Sequence, residues 1–421
     1  MMGVVILLAA AILPFGSFGI HIGRQLNLAT ILFSSLYLAC ALAFLLICFL
    51  VIIIRYVLRG PSLDTFLVGY ITILILLAPL SLLTLYQIAD ISFKDFSIEP
   101  TRPIHQFKTK TSDAGNNIYM IMFDEMSYNF LYEHNSISDL YPSIKTFAAA
   151  ADNYHAAIAP GRKTTESVLG MLLGKELIDV VIKRDGTFSS NVRNEFKAYK
   201  VSSENILSNA KSKGYCTVIY GFFFDYLKTF GRYLDYCKSF SYFNYATSVN
   251  KFSLLNPVFT TFIIWPHEYP FGLLKNPAIS FHVNRIVEQI FKLGVSAFSL
   301  TDPCFLFLQF PIPHVPFIYD ASGYHPANDP FLNSRENYVN QLKYVDYLFG
   351  QYLKEMKVSG KFYDSTVILL SDHNYRVMSK DNEWSKIPLI IKRPGQTERR
   401  DFYAPVSGGT IIKSLLNNSH S

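Results

Sequence analysis

The stretch that decides the fold is IYMIMFDEM at residues 118–126, an apolar, β-rich run that stops at Asp124. A second run of this kind, STVILLS at 365–371, stops at Asp372 and His373. In an α/β domain such a run ends at the carboxyl edge of a strand, where ligands and chemistry are usually found. The pattern therefore predicts that these three polar residues meet at one edge of a sheet.

Further apolar runs alternate with helix-like segments along the chain. Runs at 216–222, 304–310 and 388–394 are short and β-rich, which is typical of buried strands. The clearest helix starts after Ser334, a plausible N-cap, stops near Gly360, and has one apolar face made of Tyr338, Leu342, Val345, Phe349, Leu353 and Met356. This alternation predicts an α/β fold, with a mostly parallel central sheet and helices on both faces.

The amino-terminal part of the chain is far more apolar than the rest. Residues 3–22, 29–54 and 65–88 contain no Lys, Arg, Asp or Glu, and each meets the requirement of about 20 residues for crossing a bilayer. We therefore expect three transmembrane helices within residues 1–90, then a polar linker at 91–115 and a catalytic domain at 116–421. The alternative for the first run is a cleaved signal peptide, although it lacks a basic start. The abrupt apolar start also leaves open an upstream portion.

The short loops indicate how the predicted spans are oriented. Arg55 and Arg59 lie between the second and third spans, whereas the segment after the third span is mixed in sign with an acidic excess. Because basic loops stay in the cytoplasm, the catalytic domain is expected on the outer, periplasmic side of the inner membrane. Arg24, in the first loop, opposes this orientation slightly.

Charge and cysteine content exclude some classes of protein. The formal net charge is +6 with 17% charged residues and no dense basic run, so we expect no nucleic-acid partner.

Outside the predicted spans there are three cysteines. An oxidising compartment would permit a bridge from Cys216 to Cys237, and buried thiols are the alternative. No CxxC metal motif is present.

A threonine supplies the remaining type of group that anion-transfer chemistry needs. Thr164 lies in PGRKTTES, followed by the apolar SVLGMLLG, a pattern that predicts a turn leading into a buried helix. Backbone N–H groups at such a helix start favour a phosphate. A site for phosphate chemistry combines carboxylate, imidazole and an alcohol, and the chain has all three. Taken alone, Thr164 is also explained as an N-cap and Asp124 as a turn residue.

Taken in order, these segments resemble the alkaline phosphatase superfamily, in particular its sulfatase-like branch with the membrane-anchored phosphoethanolamine and phosphoglycerol transferases. NIYMIMFDEMS is similar to the opening strand, and YPSIKTFAAAADNYHAAIAPGRKTTESVLGMLLG to the stretch that carries the nucleophile. CFLFLQFPIPHVPF resembles a strand bearing a substrate histidine. DSTVILLSDH resembles the strand that delivers the last two ligands. The resemblance covers nearly all of residues 116–417.

The resemblance implies a role for each matching residue. Asp124, Asp372 and His373 would bind one divalent metal together with the Thr164 oxygen, and Thr164 would be the nucleophile. His314 would contact the transferred group. Zinc is the first expectation for the metal, with manganese or magnesium as alternatives because oxygen ligands suit harder ions.

The chain departs from the family pattern after His373. Asn374 replaces the usual glycine, and the short stretch to Lys386 lacks the second substrate histidine. Lys163 beside the nucleophile and Lys380 are therefore expected to bind substrate, with other substitutes for the missing histidine in Arg376, Lys386 and His325. The formylglycine motif of sulfatases is absent, since a threonine occupies the nucleophile position.

The resemblance implies a membrane-anchored transferase. A membrane phospholipid would donate its phosphoethanolamine or phosphoglycerol head group to Thr164, and an envelope glycan or lipid would accept it. One alternative is a hydrolase of the same superfamily, a phosphodiesterase or atypical sulfatase. A further alternative is a non-catalytic glycan-binding or scaffold member, suggested by the missing histidine.

Overall fold

The computed structural model describes residues 115–240 and 275–417, apart from short gaps at 183–185, 193–194, 200, 202, 224, 301–302, 328–329 and 376–384. All of these residues belong to one compact unit. The predicted spans at 3–22, 29–54 and 65–88 and most of the predicted linker lie outside the described residues. Within the described ranges, no helix is both long enough and apolar enough to cross a bilayer.

The described chain alternates strands with helices, as the sequence pattern predicts. The strands are β1 Ile118–Asp124, β2 Tyr132–Glu133, β3 Ser136–Ile137, β4 Asp152–Tyr154, β5 Ala157–Ile158, β6 Val181–Ile182, β7 Phe188–Val192, β8 Glu195–Tyr199, β9 Cys216–Phe222, β10 Tyr236–Phe240, β11 Cys304–Pro313, β12 Tyr319–Asp320, β13 Gly323–Tyr324, β14 Thr366–Ser371, β15 Leu389–Lys392, β16 Arg400–Phe402 and β17 Val406–Ser407. The α-helices are α1 Tyr128–Leu131, α2 Pro142–Ala148, α3 Thr164–Leu173, α4 Ile206–Ser212, α5 Tyr226–Phe230, α6 Lys275–Ser296, α7 Arg335–Val358 and α8 Gly408–Asn417.

Eight strands form the central sheet, in the order β10-β9-β11-β1-β14-β15-β4-β16. The five strands from β10 to β14 are parallel, β15 is antiparallel to both of its neighbours, and β16 is parallel to β4. The prediction of a mostly parallel sheet is therefore confirmed. The most apolar run, β1, lies in the middle of the sheet and is buried along its whole length, because a parallel strand is covered on both faces.

Helices cover both faces of the sheet. On one face, Met120 and Met122 of β1 join a buried cluster with α3, α4 and α8. On the other face, Tyr119 packs edge-on against Phe298, which also contacts Tyr352 of α7. Helix α6 lies close to β11 there, since a Cβ at Gly294 would come within 2.6 Å of a Leu308 methyl group.

The predicted amphipathic helix corresponds to α7. Its N-cap is Ser334, whose hydroxyl accepts a hydrogen bond from the Asn337 N–H at 3.1 Å. The helix ends at Val358, and Gly360 follows with φ +71°, a conformation that favours glycine. All six residues of the predicted apolar face are buried. Hydrophobic periodicity was thus sufficient to place this helix.

The sequence left open whether Cys216 and Cys237 form a bridge, and in the structure both are free cysteines. Cys237 of β10 lies opposite Ile219 of β9, three residues along the strand from Cys216. Three residues of strand span about 10 Å, beyond the reach of a disulfide. The residue opposite Cys216 is instead Cys304, at the start of β11.

Candidate functional site

The neighbouring parallel strands β1 and β14 bring the two predicted metal-binding carboxylates to the same edge of the sheet. In the β1–β14 pair Phe123 lies opposite Ser371, so Asp124 and Asp372 follow at the same level. Both carboxylates and the His373 imidazole are buried, and one ligand atom from each lies within 4.8 Å of the others. The carboxyl edge of the sheet thus assembles the cluster that the two apolar runs predicted.

Thr164 enters this cluster from α3. Its Oγ1 is 3.4 Å from Asp124 Oδ1 and 3.3 Å from His373 Nε2. Lys163, not Thr164, is the N-cap of α3, and Thr164 is the first residue of the helix. The alternative explanation of Thr164 as an N-cap is therefore wrong, and its hydroxyl faces the metal-binding candidates.

The His373 ring is held with one nitrogen directed at the cluster. Its Nδ1 lies 3.0 Å from the Asn374 carbonyl oxygen, which can only accept a hydrogen bond, so the proton is on Nδ1. In the neutral ring the lone pair is then on Nε2, which lies 3.8 Å from Asp124 Oδ1 and 3.4 Å from Asp372 Oδ2. This tautomer is the one that a metal ligand requires.

The Asp372 carboxylate is held by one oxygen. Its Oδ1 accepts the N–H groups of Glu125, at 3.0 Å, and His373, at 2.8 Å. Its Oδ2 is buried and has no hydrogen-bond partner among the described residues. Such an orphaned oxygen is costly unless a cation binds it. The donor set therefore fits a divalent metal, held by Asp124, Asp372 and His373 with the Thr164 oxygen beside them.

Several residues behind the cluster fix its shape. The Ser167 hydroxyl, one turn after Thr164, donates to the Asp372 carbonyl oxygen. The Tyr338 hydroxyl donates to the Glu125 carbonyl at 2.7 Å and accepts the Ser127 N–H at 2.9 Å. Glu125 itself has φ +61°. Its backbone N–H, which holds Asp372, is thus fixed by a turn that the sequence alone did not reveal.

A buried tyrosine from α5 lies close to the two carboxylates. The Tyr226 hydroxyl donates to Gln309 Oε1. Burial raises the pKa of Tyr226 well above its usual value, and Cys237, Asp372 and Asp124 raise it further. The phenol therefore stays neutral and adds no third negative charge beside the carboxylates. Nothing in the sequence around Tyr226 signalled this position.

The predicted substrate histidine lies on the loop that follows β11. The His314 N–H donates to the Asp124 carbonyl at 3.2 Å, which ties this loop to the end of β1. The ring is half-buried, with Nδ1 2.7 Å from the Val315 carbonyl oxygen. The structure thus places His314 beside a metal-binding candidate, and its role toward substrate stays a prediction.

The Lys and Arg residues that were predicted to bind substrate do not lie together. The exposed Lys163 ammonium lies 3.7 Å from Glu166 and 3.9 Å from Asp179, so it is directed at carboxylates near the start of α3. Lys380 lies outside the described residues, as does Arg376. Lys386 Nζ lies 3.9 Å from the centre of the Tyr128 ring. The structure therefore assigns none of these cations to substrate.

One buried glutamine organises the His314 loop. Gln341 of α7 places Nε2 within hydrogen-bonding distance of three carbonyl oxygens, those of Pro313, His314 and Pro316, at 3.1, 2.8 and 3.2 Å. Its Oε1 accepts the Ile318 N–H at 2.7 Å. The sequence did carry a signal, since Gln341 is a polar residue inside an apolar helix face.

Comparisons with known proteins agree with this arrangement. The protein-family model described as Sulfatase matches residues 116–417. A solved 2-O GAG sulfatase has 11% identity and a TM-score of 0.50, covering 73% of this chain and 71% of that one. A sulfatase structure from Bacteroides thetaiotaomicron, reported with the metabolism of multiple glycosaminoglycans, has 14% identity and a TM-score of 0.50, covering 72% and 77%.

A more distant similarity is to the phosphonate monoester hydrolase of Agrobacterium radiobacter, with 14% identity and a TM-score of 0.46, covering 72% of this chain and 73% of that one. At such identities the likeness is one of fold. No curated protein sequence matches the chain.

Proposed function

Because the chain belongs to the sulfatase family of the alkaline phosphatase superfamily, we propose that it is a metal-dependent enzyme that transfers a phospholipid head group through Thr164. Enzymes of this superfamily use a divalent metal, and the chain has a buried ligand cluster suited to one. The observation that carries the proposal is the position of the Thr164 hydroxyl, 3.4 Å from Asp124 and 3.3 Å from His373.

The proposed reaction is a double displacement. The Thr164 Oγ1–P bond forms while the bond from phosphorus to the glyceride oxygen breaks, and diacylglycerol leaves with the proton that Thr164 loses. An acceptor hydroxyl then attacks phosphorus, and the Thr164 hydroxyl is restored. A bound divalent ion would lower the pKa of the Thr164 hydroxyl and stabilise negative charge on the phosphoryl oxygens.

The chain's own residues position this chemistry. Asp372 is fixed by two backbone N–H groups, and His373 is fixed by the Asn374 carbonyl, so neither ligand has to reorganise when substrate binds. Thr164, as the first residue of α3, lies where the helix dipole favours an anion. We assign His314 to contact with the transferred group, because its loop is hydrogen-bonded to the Asp124 carbonyl.

The donor and acceptor remain those that the family resemblance implies. We propose a membrane phospholipid as donor of phosphoethanolamine or phosphoglycerol and an envelope glycan or lipid as acceptor. Anchoring through the three predicted spans, with the catalytic domain on the outer side of the inner membrane, belongs to the same proposal. A chain anchored in the bilayer meets a lipid substrate without having to extract it into water.

A hydrolase of the same superfamily is the second candidate, and the family match favours it as much as a transferase. In that case water replaces the acceptor hydroxyl in the second step. The Thr164 side chain differs from the Cys or Ser that formylglycine sulfatases modify. This difference favours a phosphodiester over a sulfate ester as substrate.

The test is an adduct measurement on the full chain. After incubation with defined phospholipids, mass spectrometry should show a head-group mass on the peptide containing Thr164, and its value identifies the group. Thr164→Ala should lose the adduct and at least about 100-fold in turnover, the scale of a missing nucleophile. Thr165→Ala, the same change one residue along, is the matched control. Full activity of the Thr164→Ala variant would contradict the proposal.

Product analysis separates the two reactions. Head group appearing in water without an added glycan indicates hydrolysis, whereas release that depends on an acceptor indicates transfer. Metal analysis tests the remaining alternative, a non-catalytic scaffold. We expect a stoichiometric divalent ion in the wild type and in Asp364→Asn, an exposed control, and its loss in Asp372→Asn. A wild-type protein that binds no divalent ion would favour the scaffold.

A further inference from the structure

Two cysteines lie side by side at the amino edge of the sheet. Cys216 is the first residue of β9 and Cys304 the first of β11, and the two are direct partners in the parallel register. The Cys216 N–H donates to the Pro303 carbonyl at 2.8 Å, which holds the two strand starts together. Neighbouring strands run about 4.8 Å apart, inside the range of Cα separations that a disulfide spans.

The Cys216 side chain acts on the ionisation of Cys304. A hydrogen bond with the Cys216 side chain is the first cause that raises the pKa of the Cys304 thiol, and burial is the second. Asp235 raises this pKa further, while Lys361 lowers it. Cys304 is 1% exposed, whereas Cys216 is partly exposed. One member of the pair is therefore open to a reagent and the other is reached only through it.

We propose that Cys216 and Cys304 form a disulfide when the protein meets a small-molecule disulfide oxidant. The Cys216 thiolate attacks one sulfur of the oxidant, which forms a mixed disulfide and releases one thiol. The Cys304 thiolate then attacks the Cys216 sulfur, and the second thiol leaves. Two electrons pass from the cysteines to the oxidant, and their two protons end on the released thiols.

Cys237 serves as the internal comparison. It lies opposite Ile219, out of reach of Cys216. Cys237 is buried like Cys304, and burial raises the pKa of the Cys237 thiol to about 12, so what distinguishes Cys237 from Cys304 is its distance from Cys216. Of the three cysteines described in this part of the chain, Cys237 is thus the one expected to remain a thiol.

The disulfide would act on stability and not on the chemistry. It joins the starts of two parallel strands, whereas Asp124 and Asp372 lie at the opposite, carboxyl ends of their strands. Cross-linking residues this far apart in sequence constrains the unfolded chain strongly. The inference therefore holds whether Thr164 passes its group to a glycan or to water.

The experiment treats the full chain with oxidised glutathione, then unfolds it, alkylates the free thiols and maps the peptides. We expect one linked peptide pair containing Cys216 and Cys304, loss of alkylation at both, and unchanged alkylation at Cys237. The oxidised protein should melt at a higher temperature than the reduced one, and dithiothreitol should reverse the change. Because the Cys304 thiol has a raised pKa, the link should form faster as pH rises.

Single variants make the test decisive. Cys237→Ser should keep the link and the rise in melting temperature, whereas Cys216→Ser and Cys304→Ser should each lose both. If the buried Cys304→Ser does not fold, the half-exposed Cys216→Ser carries the comparison. The proposal is overturned if Cys216 and Cys304 are still fully alkylated after oxidation, if the link involves Cys237, Cys40 or Cys48, or if the oxidised protein melts no higher.

Discussion

At the scale of single residues, two of the metal-binding candidates each have one polar atom held by the backbone and a second polar atom directed at the site. Asp372 gives one oxygen to two backbone N–H groups and leaves the other without a hydrogen-bond partner among the described residues. His373 donates from Nδ1 to the Asn374 carbonyl, while its Nε2 lies 3.3 Å from the Thr164 hydroxyl. Their orientation does not depend on a metal being present. A metal can therefore bind without rearranging the side chains, which reduces the cost of binding.

Gln341 provides a prediction at this scale. Gln341→Met keeps the volume of the side chain but leaves the carbonyls of the His314 loop and the Ile318 N–H without their partner. We expect KM for the phospholipid to rise about tenfold or more as the loop shifts, and the free energy of unfolding to fall by about 1–3 kcal/mol. Metal content should stay at the wild-type level, as measured by atomic spectroscopy.

The control is Gln351→Met, the same change at a half-exposed position of α7. It should match the wild type in KM and in melting temperature. Unchanged kinetics in a well-folded Gln341→Met protein would show that the loop does not position His314.

The sequence predicted Asp124, Asp372 and His373 as site residues because they come at the end of an apolar run. The end of such a run is also the end of a strand, where the site lies. The sequence could not predict the contacts of Tyr226, and for Gln341 it showed only a polar residue inside an apolar helix face. Their contacts join segments far apart along the chain, Tyr226 to Gln309 and Gln341 to the carbonyl of His314, and no local period encodes such a pairing. At the start of α3 the pattern predicted a turn leading into a buried helix but not the capping residue, because that residue is Lys163 and not one of the usual small polar types.

At the scale of elements, the start of α3 depends on one buried carboxylate. Glu166 Oε2 accepts the N–H groups of Arg162 at 2.9 Å and Lys163 at 3.3 Å, and Oε1 accepts that of Asp179 at 3.0 Å. The turn also requires Gly161, where a Cβ would lie 2.3 Å from Glu166 Cβ. Glu166 therefore replaces the missing cap and sets the direction in which α3 presents its first residue.

Glu166→Gln tests this function of the carboxylate. Glutamine has one acceptor oxygen, so at least one of the three backbone N–H groups that donate to Glu166 loses its partner, and we expect a loss of about 1–2 kcal/mol in the free energy of unfolding. Chemical denaturation of the variant measures it, with Glu176→Gln, an exposed glutamate after the same helix, as control. Equal stability of the two variants would contradict the assignment.

At the scale of the whole molecule, an ionic network holds the edge strand β16 against the chain that follows β4. Asp401 pairs with Arg399 at 2.8 Å and with His155 at 2.7 Å, and the second His155 nitrogen lies 2.8 Å from the Tyr128 hydroxyl. Burial raises the pKa of Asp401, but the hydrogen bonds with Arg399 and His155 outweigh it, so the pKa lies below its usual value.

The lowered pKa of Asp401 makes stability depend on pH. The folded state binds fewer protons than the unfolded state at this carboxyl, so its contribution is present above the unfolded pKa of about 4 and is lost as pH falls below that value. Asp401→Asn should lower the free energy of unfolding at neutral pH by up to about 1 kcal/mol, because solvent screens a pair this exposed. Its stability should also fall less steeply in acid.

Thermal melts of wild type, Asp401→Asn and Asp364→Asn between pH 3 and 7 measure this dependence. The Asp364→Asn curve should follow that of the wild type, because the exposed Asp364 takes no part in this network. Parallel curves for wild type and Asp401→Asn would show that the network does not contribute to the acid dependence.

The position of β1 in the sheet bears on how the chain is made. This strand comes first among those described, yet its neighbours are β11 and β14, whose first paired residues are Phe305 and Thr366. A chain emerging from the ribosome therefore carries an apolar segment whose partners are synthesised much later, with both edges open to wrong pairing. Folding of the sheet must wait for the last quarter of the chain, and truncation before Thr366 would remove a neighbour of the central strand.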